Sequence, residues 1–420
     1  MRDTKRVENS TTLVRFTNDV TDDSNPPRMS TLALFASYVI TTANVFDRLG
    51  VGTVRYLAIA CVAFYLLLNT RSLVRVIKKT PIVFFAAFIG WVIVSAYANS
   101  FRVPGVDIVR FAVIDLVPVL EIGLLVSVYA ERGCFMRVVN LFFWWQLVLV
   151  SINDFMVLLA PGYFGMESSV LPLYLLGNKF GVVYGHFLML TLFLVRRNGW
   201  NNDKGKIDCQ AFVLVSLSLV ISLLVDCMTG VIGTVIVYGF NRLISRYPNS
   251  LIRPVVLILI LLLACSFMFV YDDILNIAAI KFFLADVLNT TNDITGRSQI
   301  YEQLPLILKD HLVYAYGYGT CHILGPALGN FVDTQNGLAE WVWRAGIPSV
   351  VLICLFLWSC VSHGRKAIAD NSPRAIKVVA PLLSYLFTLS VLASVEITVS
   401  SAFFIVAFLL ASSDCYADRR

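Results

Sequence analysis

Twelve apolar runs dominate the chain, at roughly 30–46, 52–69, 81–98, 106–129, 135–160, 176–195, 211–226, 228–240, 254–271, 336–361, 378–395 and 399–413. An α-helix needs about 20 apolar residues to cross a hydrocarbon core, and most of the runs are near that length. The eighth is shorter and depends on a turn around Asp226-Cys227-Met228. A backbone in lipid must satisfy its own hydrogen bonds, which a helix does within one segment. The pattern therefore predicts an all-α polytopic integral membrane protein with about twelve transmembrane helices and one large extracytoplasmic loop between helices nine and ten. Residues 1–29 read as a disordered cytoplasmic tail with no signal-peptide pattern, 30–271 as helices one to nine and 272–335 as the loop. Residues 336–413 read as helices ten to twelve and 414–420 as a second cytoplasmic tail.

Basic residues set the expected orientation. The clusters Arg71/Arg75/Lys78/Lys79, Arg132/Arg137, Arg196/Arg197/Lys204/Lys206, Arg242/Arg246/Arg253 and Arg365/Lys366/Arg374/Lys377 each follow an even-numbered run. With the two tails, one side holds 24 of the 33 Lys and Arg residues. By the positive-inside rule that side is cytoplasmic, so both termini are expected inside. The formal charge of +6 is thereby a matter of topology, and no nucleic-acid partner is implied. Composition agrees: 58% of residues are hydrophobic and 14% charged, against about a quarter charged in a soluble domain. The nine cysteines are scattered singly without CxxC or metal spacing, which argues against a disulfide framework, a metal site or a metal cofactor.

Charged groups inside such runs cost about 2.5–3.5 kcal/mol each on insertion scales, so their positions carry information. Asp107, Arg110, Asp115, Asp154, Asp226 and Glu396 fall toward the outer ends and suggest a polar cavity opening outward. Asp107 and Arg110 read first as a local pair three residues apart. Glu121 lies deeper without an evident partner, and His186 reads as a hydrogen-bonded core histidine. In the long loop, RSQIYEQLPLILKDH at 297–311 spaces Ile300, Leu304, Ile307 and Leu308 for a helix that either lies flat on the membrane or caps the bundle. The glycine- and proline-rich stretch YAYGYGTCHILGPALGN that follows predicts turns. The tenth run opens DTQNGLAEWVWRAG, with Asn336, Glu340 and Arg344 stacked on one helix face. One reading is a Glu340–Arg344 ion pair that lets the helix insert, with Trp341 and Trp343 as interfacial aromatics. The other is the wall of an outward-facing site.

Two local motifs and the topology resemble one family. TGRSQIYEQLPLILKDHLVYAYGYG at 295–319 and DTQNGLAEWVWRAGIPSVV at 333–351 are similar to elements of the O-antigen ligase and Wzy-type polysaccharide polymerase superfamily, especially exopolysaccharide polymerases. Gln335 stands where ligases carry a histidine, and LVDCMTGVIG at 224–233 lacks the family's usual Ser-Arg pair, which favours a polymerase over a ligase. The resemblance implies glycosyl transfer from a polyprenyl-diphosphate-linked glycan on the outer side of a bacterial inner membrane, with no nucleotide or other cofactor. It further implies membrane lipid, a chain-length regulator and an export complex as partners. Arg297 would stabilise the leaving diphosphate, helped by Arg344 and Lys179, and Glu340 or Asp333 would orient or deprotonate the acceptor hydroxyl. Asn336 and Gln335 would line the substrate site, and Tyr318, with Tyr314, Tyr316 and Trp341, offers rings for sugars or for an interfacial belt. A glycan flippase and a non-catalytic assembly partner remain alternatives.

Overall fold

In the computed structural model, residues 28–160, 163–165, 172–200, 209–270, 273, 277–278, 297–369, 373–392 and 401–414 are described. No strand occurs among them beyond one isolated bridge between Tyr174 and Gly177. The α-helices are α1 Arg28–Thr41, α2 Ala43–Arg48, α3 Val54–Leu68, α4 Thr70–Ile77, α5 Thr80–Ala98, α6 Ile108–Glu131, α7 Phe135–Leu159, α8 Lys179–Trp200 and α9 Cys209–Leu224. They continue with α10 Met228–Arg246, α11 Pro248–Leu251, α12 Pro254–Ser266, α13 Arg297–Leu308, α14 Cys321–Gly329, α15 Gly337–Ala369, α16 Pro373–Val391 and α17 Ser401–Ala411.

Among the described residues each of the twelve apolar runs contains helix, the first divided into α1 and α2. Among the described residues, six helices are long and apolar enough to cross a membrane: Thr80–Ala98, Ile108–Glu131, Phe135–Leu159, Lys179–Arg197, Met228–Arg246 and Gly337–Ala369. The α3–α4 pair makes a seventh if counted as one span, although it is bent by 96°, and five further apolar helices are shorter. The chain is thus a polytopic helical membrane protein.

Sequence character decides which helices sit inside. The helices α16 and α17 are apolar on every side, and Val378 to Ser390 and Ala402 to Ala411 are buried without exception. The hydroxyls of Ser384, Thr388 and Ser390 in α16 are satisfied within the helix, donating to Pro381 O, Ser384 O and Leu386 O. Around α17 an aromatic cluster joins α5, α15 and α17, with Phe85 about 5 Å from Phe356, Phe404 and Phe408. Outward-facing Leu57, Leu67, Phe212 and Leu263 lie exposed on the bundle surface, where lipid solvates them.

Two local expectations change, and one open alternative is decided. The stretch 321–329 is the helix α14, not a set of turns; Gly325 and Gly329 lie so close to Phe331 that a Cβ on either would collide with it, and Asn330 ends the helix at φ 54. These glycines are packing residues, and tertiary contact overrides their turn signal. The apolar face of α13 is turned onto the protein: Ile300, Tyr301, Leu304 and Leu308 pack in one cluster with Tyr316, Phe331 and Trp343. It caps the bundle and does not lie on lipid with that face. Asp107 accepts from the backbone N–H of Arg110 at 2.9 Å and caps α6, in place of an ion pair with the Arg110 side chain.

Candidate functional site

The site is organised by a break in α15. Ala345 (φ −153, ψ 20) and Gly346 (φ 72, ψ −179) leave the helical region. The Gly346 conformation is open essentially to glycine alone, and a Cβ there would stand 2.0 Å from Val313 O and 2.5 Å from Leu312 O. Breaking a helix frees backbone groups that must find partners. The connection between α13 and α14, with α5, supplies them: Tyr316 N–H donates to Trp343 O at 3.0 Å, Trp91 Nε1 to Ala345 O at 2.7 Å and Ile347 N–H to Leu312 O at 2.8 Å. Ser95 Oγ donates to Tyr314 O at 2.6 Å and stands 3.2 Å from Arg344 O. After the break, the apolar part of the run, Ile347 to Val361, rises about 22 Å, which puts the break toward the end of the span remote from Arg365 and Lys366.

On the short segment before the break, Glu340 and Arg344 form an i,i+4 pair, with Arg344 Nε donating to Glu340 Oε1 at 2.9 Å. Glu340 Oε2 accepts from Thr334 Oγ1 at 3.0 Å and from Thr334 N–H at 3.3 Å. The Arg344 guanidinium lies 4.8 Å above the Tyr318 ring and 5.5 Å from that of Trp341, while its Nη atoms make no hydrogen bond among the described residues. Tyr318 Oη donates to Asp115 Oδ2 at 3.3 Å, and Asp115 Oδ1 takes Arg55 Nη2 at 3.1 Å. Burial holds the Tyr318 phenol well above its usual value, with Arg344 opposing and Asp115 reinforcing the shift, so Tyr318 stays a neutral donor. A chain of alternating charge results: Glu340, Arg344, Tyr318, Asp115, Arg55. Fractional side-chain exposure separates its ends, from 2% at Glu340 and 11% at Arg344 to 45% at Asp115. An anion could reach the free edge of Arg344, and a hydroxyl could reach Asp115; Glu340 is fully engaged.

The other expected residues fall as follows. Asp333 Oδ1 accepts from Gln335 N–H at 2.8 Å in the turn entering α15, where Gln335 adopts φ 50 and its carbonyl takes Tyr301 Oη at 3.1 Å. Asn336 caps α15 by accepting from Ala339 N–H at 3.2 Å and donates to Cys265 O at 2.8 Å, so its amide ties α15 to α12. Arg297 begins α13, and its side chain lies outside the described residues, as does Glu396. Lys179 begins α8 and donates to Asp226 O at 3.0 Å in the turn between α9 and α10, apart from the Glu340–Arg344 pair. Trp341 and Trp343 are fully buried and not interfacial. Trp343 stacks on Tyr316 at 4.5 Å and donates to Thr320 Oγ1 at 3.1 Å, because the segment that sutures the break also covers them. Tyr314 remains exposed, stacked on Trp91 at 5.4 Å. Thr334, Trp91 and Arg55 were not singled out as site residues by sequence; Arg55 alone left a signal, as one of the nine basic residues outside the clusters and tails that the positive-inside rule assigns to the cytoplasm.

A second polar group lies inside the bundle. His186 is fully buried, with Nε2 3.0 Å from Asp154 Oδ1 and Nδ1 3.1 Å from Ser218 Oγ, as expected of a core histidine. Among the described residues no cluster of His, Cys, Asp and Glu is suited to a metal ion. No protein-family model matches the chain, and no curated protein matches it.

Proposed function

We propose that this protein is a polysaccharide polymerase that joins polyprenyl-diphosphate-linked oligosaccharide units on the outer side of a bacterial inner membrane. The carrying observation is the guanidinium of Arg344: oriented by Glu340, shelved on Tyr318 and Trp341, and without a hydrogen bond at its Nη atoms among the described residues, on the short segment at one end of the α15 span. A lipid-linked diphosphate would present its charge at that level, and a fixed guanidinium fork suits phosphate oxygens. In this reading all twelve apolar runs cross the membrane, the basic clusters face the cytoplasm and the α13–α14 cap faces outward.

The reaction forms a glycosidic bond between the acceptor oxygen and the donor's anomeric carbon as the anomeric C–O bond to the diphosphate breaks. The electron pair leaves with the diphosphate, whose developing charge Arg344 and Arg297 would stabilise. The acceptor proton goes to a carboxylate. Asp115 suits this role better than Glu340, since it is the exposed carboxylate of the chain and Glu340 already accepts three hydrogen bonds.

The test is lipid-linked glycan analysis in a deletion strain complemented with wild type, Arg344→Lys or Asp115→Asn. Single lipid-linked units accumulating on the outer leaflet, with little rescue by either variant, is the expected result. Units trapped on the inner leaflet would identify a flippase instead, and accumulation of long lipid-linked polymer a ligase.

A further inference from the structure

The bend after α3 builds a surface that the transfer reaction does not use. α3 ends at Leu68 and α4 departs from it at 96°. The corner is anchored: Asn69 Nδ2 donates to Tyr65 O at 2.7 Å, Asn69 Oδ1 accepts from Arg132, and Asn69 O receives the N–H of Ser72 and of Leu73. α3 rises about 22 Å at 1.5 Å per residue, and the basic cluster Arg71/Arg75/Lys78/Lys79 directly after it marks the end of the apolar run, where the chain turns sideways.

At 100° per residue, α4 divides into three sectors. Ser72 and Val76 are buried and mark the face turned to the protein. Val74 and Ile77 are half exposed, at 50% and 47%, and with Leu73 form an apolar sector that continues the exposed Leu67 and Leu68 of α3. Arg71, Arg75 and Lys78 form the third sector, and all are exposed. Glu131 stands 3.7 Å from Arg75 and 3.6 Å from Lys79, whereas Arg71 and Lys78 have no carboxylate within 4 Å among the described residues. The patch is therefore net positive. A helix with a protein face, an apolar face and a basic face, lying at such a bend, has the form of an interfacial element.

We infer that α4 is a binding site for anionic phospholipid headgroups, with Arg71, Arg75 and Lys78 contacting the phosphates and Val74 and Ile77 seated among the acyl chains. The occupant is lipid and not an acidic protein because the basic sector adjoins an apolar one continuous with the lipid-facing surface of α3. Neither the polymerase reading nor the direction of insertion enters this inference.

The test uses the full-length protein reconstituted in nanodiscs of equal phosphatidylglycerol and phosphatidylcholine, with retained lipids counted by native mass spectrometry. Wild type should retain phosphatidylglycerol preferentially. R71Q/R75Q/K78Q should lose at least about tenfold of that preference, since each basic residue near an anionic surface contributes about a fivefold factor. R242Q/R246Q, which removes two exposed charges at the end of α10, should keep it. If the triple variant fails to fold, R71Q and K78Q singly, which break no ion pair, should each lower the preference several-fold. Unchanged retention in the α4 variants, equal loss in the α10 variant, or binding of an acidic peptide without phosphatidylglycerol preference would overturn the assignment.

Discussion

The Glu340–Arg344 pair permits a test that separates folding from chemistry. Glu340→Gln leaves a neutral group beside a guanidinium that is only 11% exposed, and places an amide where Oε2 now accepts two hydrogen bonds from Thr334. Breaking one half of a buried pair costs about 3–5 kcal/mol, and the partial exposure of Arg344 sets the expectation near 3. Arg344→Met removes the guanidinium from between Tyr318 and Trp341 and leaves Glu340 buried with its Thr334 bonds. It should cost a similar amount. The double variant E340Q/R344M carries neither charge and should recover at least about 2 kcal/mol relative to the sum of the single changes. Equilibrium unfolding in detergent, followed by tryptophan fluorescence, suits the site because Trp341 and Trp343 are buried beside it. Additive losses would refute the coupling. If the double variant is stable and still makes polymer at the parental rate, the pair serves the fold alone and Arg344 is no diphosphate ligand.

Gly346→Ala should destabilise by about 3 kcal/mol or more, because its Cβ meets the fixed carbonyls of Val313 and Leu312 at a positive φ; a loss under about 0.5 kcal/mol in the same unfolding assay would contradict the break. His186→Ala should cost about 3 kcal/mol by leaving Asp154 buried without its partner, and Asp154→Asn should cost clearly less, since its amide can still donate to His186 Nε2. Equal losses would mean that the charge itself is required. Reporter fusions at Lys78, Lys204 and Arg365 should score cytoplasmic and one at Gly329 outside; the reverse at Gly329 would place the Arg344 site on the wrong side for the proposed reaction.

Hydropathy made the helices legible because crossing lipid is a property of each segment on its own. The α3–α4 corner was not: the basic cluster from Arg71 to Lys79 read simply as an orientation signal, although Leu73, Val74, Val76 and Ile77 at helical spacing were visible within it. The pairing of Glu340 with Arg344 was legible, being a local i,i+4 relation. Its continuation to Asp115 and Arg55 joins residues some 200 positions apart, and nothing in the sequence of α6 announces Tyr318 as its neighbour. Trp341 and Trp343 misled for a related reason. Two tryptophans at the start of an apolar run are what an interfacial belt offers, and only the fold over 309–320 shows them covered.

The depth of the break in α15 bears on which class of function the site can serve. Secondary transporters place broken helices at the bilayer midplane, so that freed backbone groups can bind a substrate exposed alternately to either side. In α15 the break comes two turns from the helix start, and about 22 Å of apolar helix, Ile347 to Val361, separates it from the basic end, so it lies toward one end of the span and not at its middle. The freed carbonyls of Trp343 and Ala345 are moreover taken by Tyr316 and Trp91, so they are spent on closing the structure. A midplane site would also require polar groups that a solute can reach, but at the buried polar centre His186 is fully packed between Asp154 and Ser218, and Asp154 Oδ2, which has no hydrogen-bond partner among the described residues, is buried too. A ligand could reach the free edge of Arg344 and the exposed carboxylate of Asp115, toward one end of the α15 span. The proposed reaction between two lipid-anchored glycans needs its cation beside the donor's diphosphate, at the headgroup level, and its carboxylate where the acceptor's sugar hydroxyl meets water.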